Sequence, residues 1–154
     1  NFDLRTLAEE VRDELNVDDT LPSVMLEPQD EDSKVVTVEA DRTRIKRVLT
    51  NLLSNAQKHA EGTPQVTLRW KRIPRRGVRL QVVDEGPGIP ADECRRVFEK
   101  FTRAPQSMGN STGLGLGLFI VGKILESHNQ SIELKSELGK GTTFEFNLAT
   151  VDEG

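Results

Sequence analysis

The stretch from Asp41 to Ala60 constrains the chain more than any other. Ile45, Val48, Leu49, Leu52, Leu53 and Ala56 recur at helical period, so the segment reads as an amphipathic helix with its apolar stripe on a core. At about 100° per residue, Asn51, Asn55, Lys58 and His59 line one edge of that stripe. Asn costs roughly 0.5 kcal/mol relative to Ala in a helix interior, so two of them ask for a reason. A solvated flank is one reason. A polar wall facing a ligand is the other, because a carboxamide oxygen suits Mg²⁺ and a Lys ammonium neutralises phosphate.

At 154 residues the chain has the usual size of one domain, and residues 1–154 are expected to form one. It begins at Asn1 rather than Met, which reads as a piece of a longer protein. A net charge of −4 gives no bulk basic surface for nucleic acid, and no such partner is expected. The single cysteine, Cys94, excludes an internal disulfide and a cysteine zinc cluster, which suits a reducing compartment. It sits in a helical pattern with no nearby His and reads as structural. No apolar run approaches the roughly 20 residues of a membrane span and no signal peptide is present, so the expected location is cytoplasmic.

Taken in order, Phe2-Asp3-Leu4 reads as a short strand or docking segment, and Leu7, Ala8, Val11 and Leu15 as a helix ending near Asn16. Val24-Met25-Leu26 and Val35-Val36-Thr37-Val38 read as strands around the acidic loop Glu27 to Asp32. After the central helix, Val66, Leu68 and Trp70 share one strand face, and Val78, Leu80 and Val82 another, joined by a turn through Pro74-Arg75-Arg76-Gly77. A helix is expected from Ala91 to about Phe101, a mobile loop from Thr102 to Thr112, and a helix from Leu118 to Ser127. A terminal hairpin pairs Ile132 and Leu134 with Phe144, Phe146 and Leu148. Strands grouped with helices, not alternating with them, place the helices on one face of a mixed sheet.

Two glycine motifs carry chemistry. In Val83-Asp84-Glu85-Gly86-Pro87-Gly88-Ile89-Pro90, strand parity points Asp84 inward with Val78, Leu80 and Val82. A buried carboxylate needs a donor. A purine amine would supply one, with Gly86 and Gly88 letting backbone close on the ring; a strand ending in a glycine turn explains the same residues. Thr112-Gly113-Leu114-Gly115-Leu116-Gly117 opens a helix, where exposed N–H groups receive phosphate. It is not Gly-x-Gly-x-x-Gly after a strand. The stretch from Gly117 to Lys123 imitates a P-loop but has Ile124 at the Ser/Thr position. In Phe98-Glu99-Lys100-Phe101-Thr102-Arg103 the rings read as packing, while Lys100 and Arg103 reach either a terminal phosphate or solvent. Thr142 shares parity with Phe144 and Phe146, so its hydroxyl points inward, toward Asp84.

In this order and spacing, the residues from Arg44 to Phe146 resemble the catalytic and ATP-binding domain of sensor histidine kinases, within the GHKL ATPase superfamily. The resemblance implies a Bergerat-type α/β (α+β) two-layer sandwich, a mixed sheet of about five strands packed on one face by about three helices. It implies Mg²⁺–ATP as cofactor, with Asn55 the metal ligand, Asn51 supporting metal and phosphate, and Lys58 on phosphate. His59 would pack near the sugar or base, Asp84 would hold the adenine amine, and Gly86, Gly88 and Ile89 would border the ring. Arg103 and Lys100 would contact the terminal phosphates. Thr112, Gly113, Leu114, Gly115, Leu116 and Gly117 would form the phosphate turn, residues 102–112 the lid, and Thr142 would assist at adenine. Asn51, Asn55, Lys58 and Arg103 would be the catalytic set.

Hydrolytic relatives carry Glu where this chain has Asn51, and a carboxamide takes no proton at neutral pH, which favours transfer over hydrolysis. The family's His-Gly-Gly is replaced by His128-Asn129-Gln130, where Asn is expected to make the left-handed cap. The only histidines, His59 and His128, lack an acceptor motif. The partners implied are therefore an upstream helical dimerisation domain bearing the acceptor His, which residues 1–20 would begin to join, and a response regulator receiver domain. The parent would be a homodimer and these residues alone a monomer. A GHKL serine kinase or ATPase, and a non-catalytic nucleotide-binding module, stay open as alternatives.

Overall fold

In this computed structural model, residues 1–60, 62–89, 94, 96, 97, 99 and 114–151 are described. β1 (Phe2–Asp3) leads into helix α1 (Leu4–Leu15), followed by β2 (Ser23–Pro28), a 3₁₀ turn (Glu31–Ser33), β3 (Thr37–Val38) and helix α2 (Arg42–His59). β4 (Gln65–Ile73) and β5 (Gly77–Asp84) follow, then helix α3 (Leu114–Ser127), β6 (Ile132–Glu137) and β7 (Gly141–Leu148). Cys94, Arg96, Val97 and Glu99 are helical, within the helix expected from Ala91.

Five strands form one mixed sheet in the order β2-β4-β5-β7-β6, with β2 parallel to β4 and the other pairs antiparallel. The three helices pack on this sheet, giving the α/β sandwich that the resemblance implied. Register explains the core. Trp70, Leu80, Phe146 and Ile132 lie opposite one another across four strands, and Leu68, Val82, Phe144 and Leu134 make the next row. These rows meet Leu7 and Val11 of α1, Leu49, Leu52 and Leu53 of α2, and Val121 and Leu125 of α3 in one buried cluster. Each fully buried large aliphatic contributes about 1.5–3 kcal/mol.

Local chemistry sets the helix ends. Asp3 caps α1 by accepting from the Thr6 N–H at 3.3 Å and hydroxyl at 2.7 Å, and Asp41 caps α2 by accepting from the Arg44 N–H at 3.1 Å. The last turn of α2 carries Lys58 and His59, favourable at the negative end of the helix dipole. The end of α3 is a Schellman turn: Asn129 has φ 60, Gln130 N–H donates to Leu125 carbonyl at 2.8 Å and Asn129 N–H to Glu126 carbonyl at 3.0 Å. Asn thus makes the left-handed cap expected of it.

Two expectations change. The strand read over Val35–Val38 shrinks to Thr37–Val38, and it pairs with β1 and not with β2. Val36 still accepts from the Leu4 N–H at 2.9 Å, but α1 starts at Leu4 and ends the pairing there, and the Val35 carbonyl is taken by the Arg72 guanidinium at 2.9 Å. Helix α3 starts at Leu114 and not at Leu118, which puts Gly115 and Gly117 inside it. The helical cost of glycine, about 1 kcal/mol each, is tolerated here because α3 lies against α2. Among the described residues no helix is long and apolar enough to cross a membrane.

The β4–β5 connection is a type II turn: Arg76 N–H donates to Ile73 carbonyl at 2.9 Å, Pro74 follows Ile73, and Arg75 has φ 66. An L-residue in that conformation costs about 1 kcal/mol. Arg75→Gly is therefore expected to raise stability by about 0.5–1 kcal/mol, measured as a higher urea midpoint at unchanged m-value.

Candidate functional site

The register that builds the core ends in a polar row. One step beyond the apolar rows, Val66, Asp84, Thr142 and Ser136 lie opposite one another across β4, β5, β7 and β6. Asp84 is 4 % exposed and Thr142 3 %, so the inward parity read from sequence holds for both. Gly86 N–H donates to the Asp84 carboxylate at 3.0 Å, and the Thr142 main chain supports it as well. Burial nevertheless dominates and holds the Asp84 pKa above the ordinary carboxylate range, opposed by those hydrogen bonds and by His59.

The Thr142 hydroxyl does not pair with Asp84. It meets the Ser136 hydroxyl at 2.9 Å. Ser136 Oγ also accepts from Ile89 N–H at 2.7 Å and donates to Gly141 carbonyl at 3.1 Å. That last bond uses the only Ser136 hydroxyl proton, so Thr142 must donate to Ser136 and keeps lone pairs to offer elsewhere. Ile89 itself is 6 % exposed.

The first glycine motif rests on protein. A Cβ on Gly86 would stand 2.8 Å from the His59 carbonyl oxygen at the end of α2. Gly88 has φ 80, and a Cβ there would stand 2.3 Å from the Glu137 carbonyl oxygen in the β6–β7 turn. Both glycines are thus required by close packing of backbone on backbone, which fits the glycine turn, one of the two readings of this motif.

Helix α2 carries Asn51, Asn55, Lys58 and His59. Asn55 is 4 % exposed, and its Oδ1 has no hydrogen-bond partner among the described residues. One turn earlier, the half-buried Asn51 donates from Nδ2 to the Gly117 carbonyl at 3.4 Å, and one turn later stands His59 against Gly86. Lys58 and His59 expose their side chains. α2 therefore touches the Asp84 motif at one end and the glycine-rich start of α3 nearer its middle. Leu114, Gly115, Leu116 and Gly117 form the first turn of α3, whose N–H groups have no intrahelical acceptor. Lys100, Arg103, Thr112 and Gly113 lie outside the described residues.

Sequence reading missed two polar residues. Ser136 carried only strand alternation, and its role appears once β6 is paired. Gln57, 2 % exposed, carried no sequence signal of its own. Its amide donates to the Pro22 carbonyl at 2.8 Å and ties α2 to the loop before β2, away from the site.

The sequence and the fold have counterparts among known proteins. Residues 40–152 match the family described as histidine kinase-, DNA gyrase B- and HSP90-like ATPase. The chain belongs to this ATPase family. The nucleotide-free catalytic domain of histidine kinase ThkA superimposes with a TM-score of 0.75 at 30 % identity, covering 96 % of this chain and 93 % of that one. The histidine kinase domain of the E. coli osmosensor EnvZ gives 0.69 at 26 % identity, covering 99 % and 90 %. The adaptive-response sensory kinase SasA of Parasynechococcus marenigrum (strain WH8102) is 38 % identical over 116 residues, 75 % of this chain and 30 % of that protein. SasA of Prochlorococcus marinus (strain MIT 9303) is 39 % identical over 112 residues, 73 % and 30 %. The chain thus spans under a third of these curated relatives. This ATPase domain is of the histidine kinase catalytic kind, and such a domain binds ATP.

Burial favours protonated Asp84 in the folded state, so its ionisation costs stability. The cost is absent below the ordinary Asp value of 3.8 and present once pH passes the raised folded value. Asp84→Asn is expected to make the nucleotide-free domain more stable than the parent at neutral pH, an advantage that vanishes in acid. Urea unfolding at both pH values measures it.

Proposed function

We propose that this domain binds Mg²⁺–ATP and presents the γ-phosphate to a histidine on a helical dimerisation domain outside these residues, which then supplies a response regulator. The observation that carries the reading is the buried Oδ1 of Asn55, which has no partner among the described residues. An unsatisfied buried acceptor costs about 1–3 kcal/mol, and a hard cation is the ligand such an oxygen fits. Among the described residues no cluster of three His, Cys, Asp or Glu could hold a metal, so phosphate and water oxygens would complete the shell. Bound there, Mg²⁺ would neutralise charge on the phosphates. Asn51, one turn away, would orient the same group, and Lys58 would add a positive charge at the open end of the helix.

Asp84 would accept from the adenine amine, with the lone pairs of Thr142 beside it. His59 would stand at the sugar or base, and Gly86, Gly88 and Ile89 would form the floor. The first turn of α3 would receive phosphate, with Thr112 and Gly113 leading into it from the lid of residues 102–112, and with Lys100 and Arg103 on the terminal phosphates. Catalysis would come from positioning and charge neutralisation. The site would work on the cytoplasmic face of the parent protein, with residues 1–20 starting the joint to the upstream domain. Asn51 in place of a carboxylate supports transfer to a nucleophile over hydrolysis, and so favours the histidine kinase over an ATPase.

Asn55→Ala is expected to lower ATP affinity at least tenfold in Mg²⁺ and little in its absence, by calorimetric titration with a nonhydrolysable analogue. Affinity should also fall as pH drops through the raised Asp84 pKa, because a protonated carboxyl no longer accepts from the amine. Joined to its native helical domain, the protein should form acid-labile, ATP-dependent phosphohistidine. Phosphoserine on a bound partner, or brisk steady ATP turnover without phosphohistidine, would refute the kinase reading.

A further inference from the structure

The β4–β5 hairpin tip stands at the end of β5 opposite Asp84, and its charge is one-sided. From Gly62 to Val83 the sequence carries Arg69, Lys71, Arg72, Arg75, Arg76 and Arg79 and no carboxylate, in a chain of net charge −4. Some of these cations are committed within the fold. Arg69 lies 3.8 Å from Glu27 and Arg79 3.9 Å from Glu145, while Arg72 donates to the carbonyls of Asp32 and Val35. Arg75 and Arg76 differ. Both are exposed, and neither side chain has an ion pair or hydrogen bond among the described residues.

Beside them the hairpin tip, Gln130 after α3 and the segment Ala149–Val151 enclose a cavity of about 710 Å³. Arg75 holds its place there at φ 66, where glycine would sit without strain. A guanidinium kept at that cost, with no partner among the described residues, breaks a local rule in the way functional positions do.

We propose that this hairpin and cavity are a docking surface for an acidic segment of a partner protein. Arg75 and Arg76 grip Asp or Glu carboxylates through their paired N–H groups, and Gln130 and Thr150 offer neutral hydrogen bonds alongside. The charge of the tip selects an anion, and the concavity selects a chain that enters it. A flat anionic membrane would be attracted by any cation cluster and would not need an arginine in a left-handed turn.

The test is a titration of the 154-residue domain with decaglutamate peptide, followed by amide resonances. Shifts are expected for residues 72–77, Gln130 and 149–151, weakening as salt is raised. The double variant Arg75→Glu, Arg76→Glu should lower affinity at least tenfold, and Arg75→Lys, Arg76→Lys severalfold, since an ammonium does not fork. Amide dispersion and ATP affinity should match the parent in both variants, which separates loss of this surface from misfolding and from failure of the nucleotide site. Three outcomes overturn the proposal: no shifts at these residues, equal binding by the charge-reversed domain, or tighter binding of tripolyphosphate or phosphatidylserine vesicles than of the peptide at the same residues.

Discussion

A carboxylate in the row next to Leu68, Val82 and Phe144 is supported by main-chain donors, the Gly86 N–H just past its own strand and Thr142, which strand register sets opposite it. β5 places Asp84 inward, β7 pairs Thr142 opposite, and β6 brings Ser136 to the end of the same row. A slip of one residue in the β5–β7 pairing would send Thr142 to the open face and turn Thr143, Glu145 and Asn147 inward. The two apolar rows that fix this register are thus the precondition of the polar one. Stability of the core and chemistry of the site rest on a single alignment.

Helix α2 converts that alignment into a site. Its apolar stripe is buried on the sheet, which fixes its rotation, and rotation alone decides that Asn51, Asn55 and His59 follow one edge. The His59 carbonyl meets Gly86, and Asn51 reaches the Gly117 carbonyl, so the strand-end motif and the glycine-rich helix are referenced to the same rod. Asn55 lies between them with its oxygen unspent among the described residues. The stripe periodicity and the two chemistries were one constraint from the outset.

Much of this was legible because it is periodic. Alternation in β4, β5 and β7 gave the inward side of Asp84 and Thr142, and the 3.6-residue repeat gave α2. Pairing across distance was not legible. Nothing local in Val24-Met25-Leu26 says that β2 runs parallel to β4, and nothing in Val35-Val36 says that Arg72 and Leu4 will claim their carbonyls. Gln57 and Ser136 failed for the same reason, since a polar side chain declares its partner only after the fold has chosen it. The start of α3 was placed late because glycine propensity argues for a loop, whereas packing on α2 carries the helix through it.

His128 ties the opposite ends of the two helices together. Its Nε2 accepts from the Asp41 N–H at 3.1 Å, and its Nδ1 faces the Ile124 carbonyl at 2.8 Å. A main-chain N–H only donates and a carbonyl only accepts, so the ring holds one tautomer, with the proton on Nδ1. The far end of α3 is thereby pinned at the first turn of α2. Any swing of α3 relative to α2 is a rotation about that pin, on a lever of about 20 Å from Ser127 back to Leu114. Displacement is smallest at the imidazole and greatest where the helix begins.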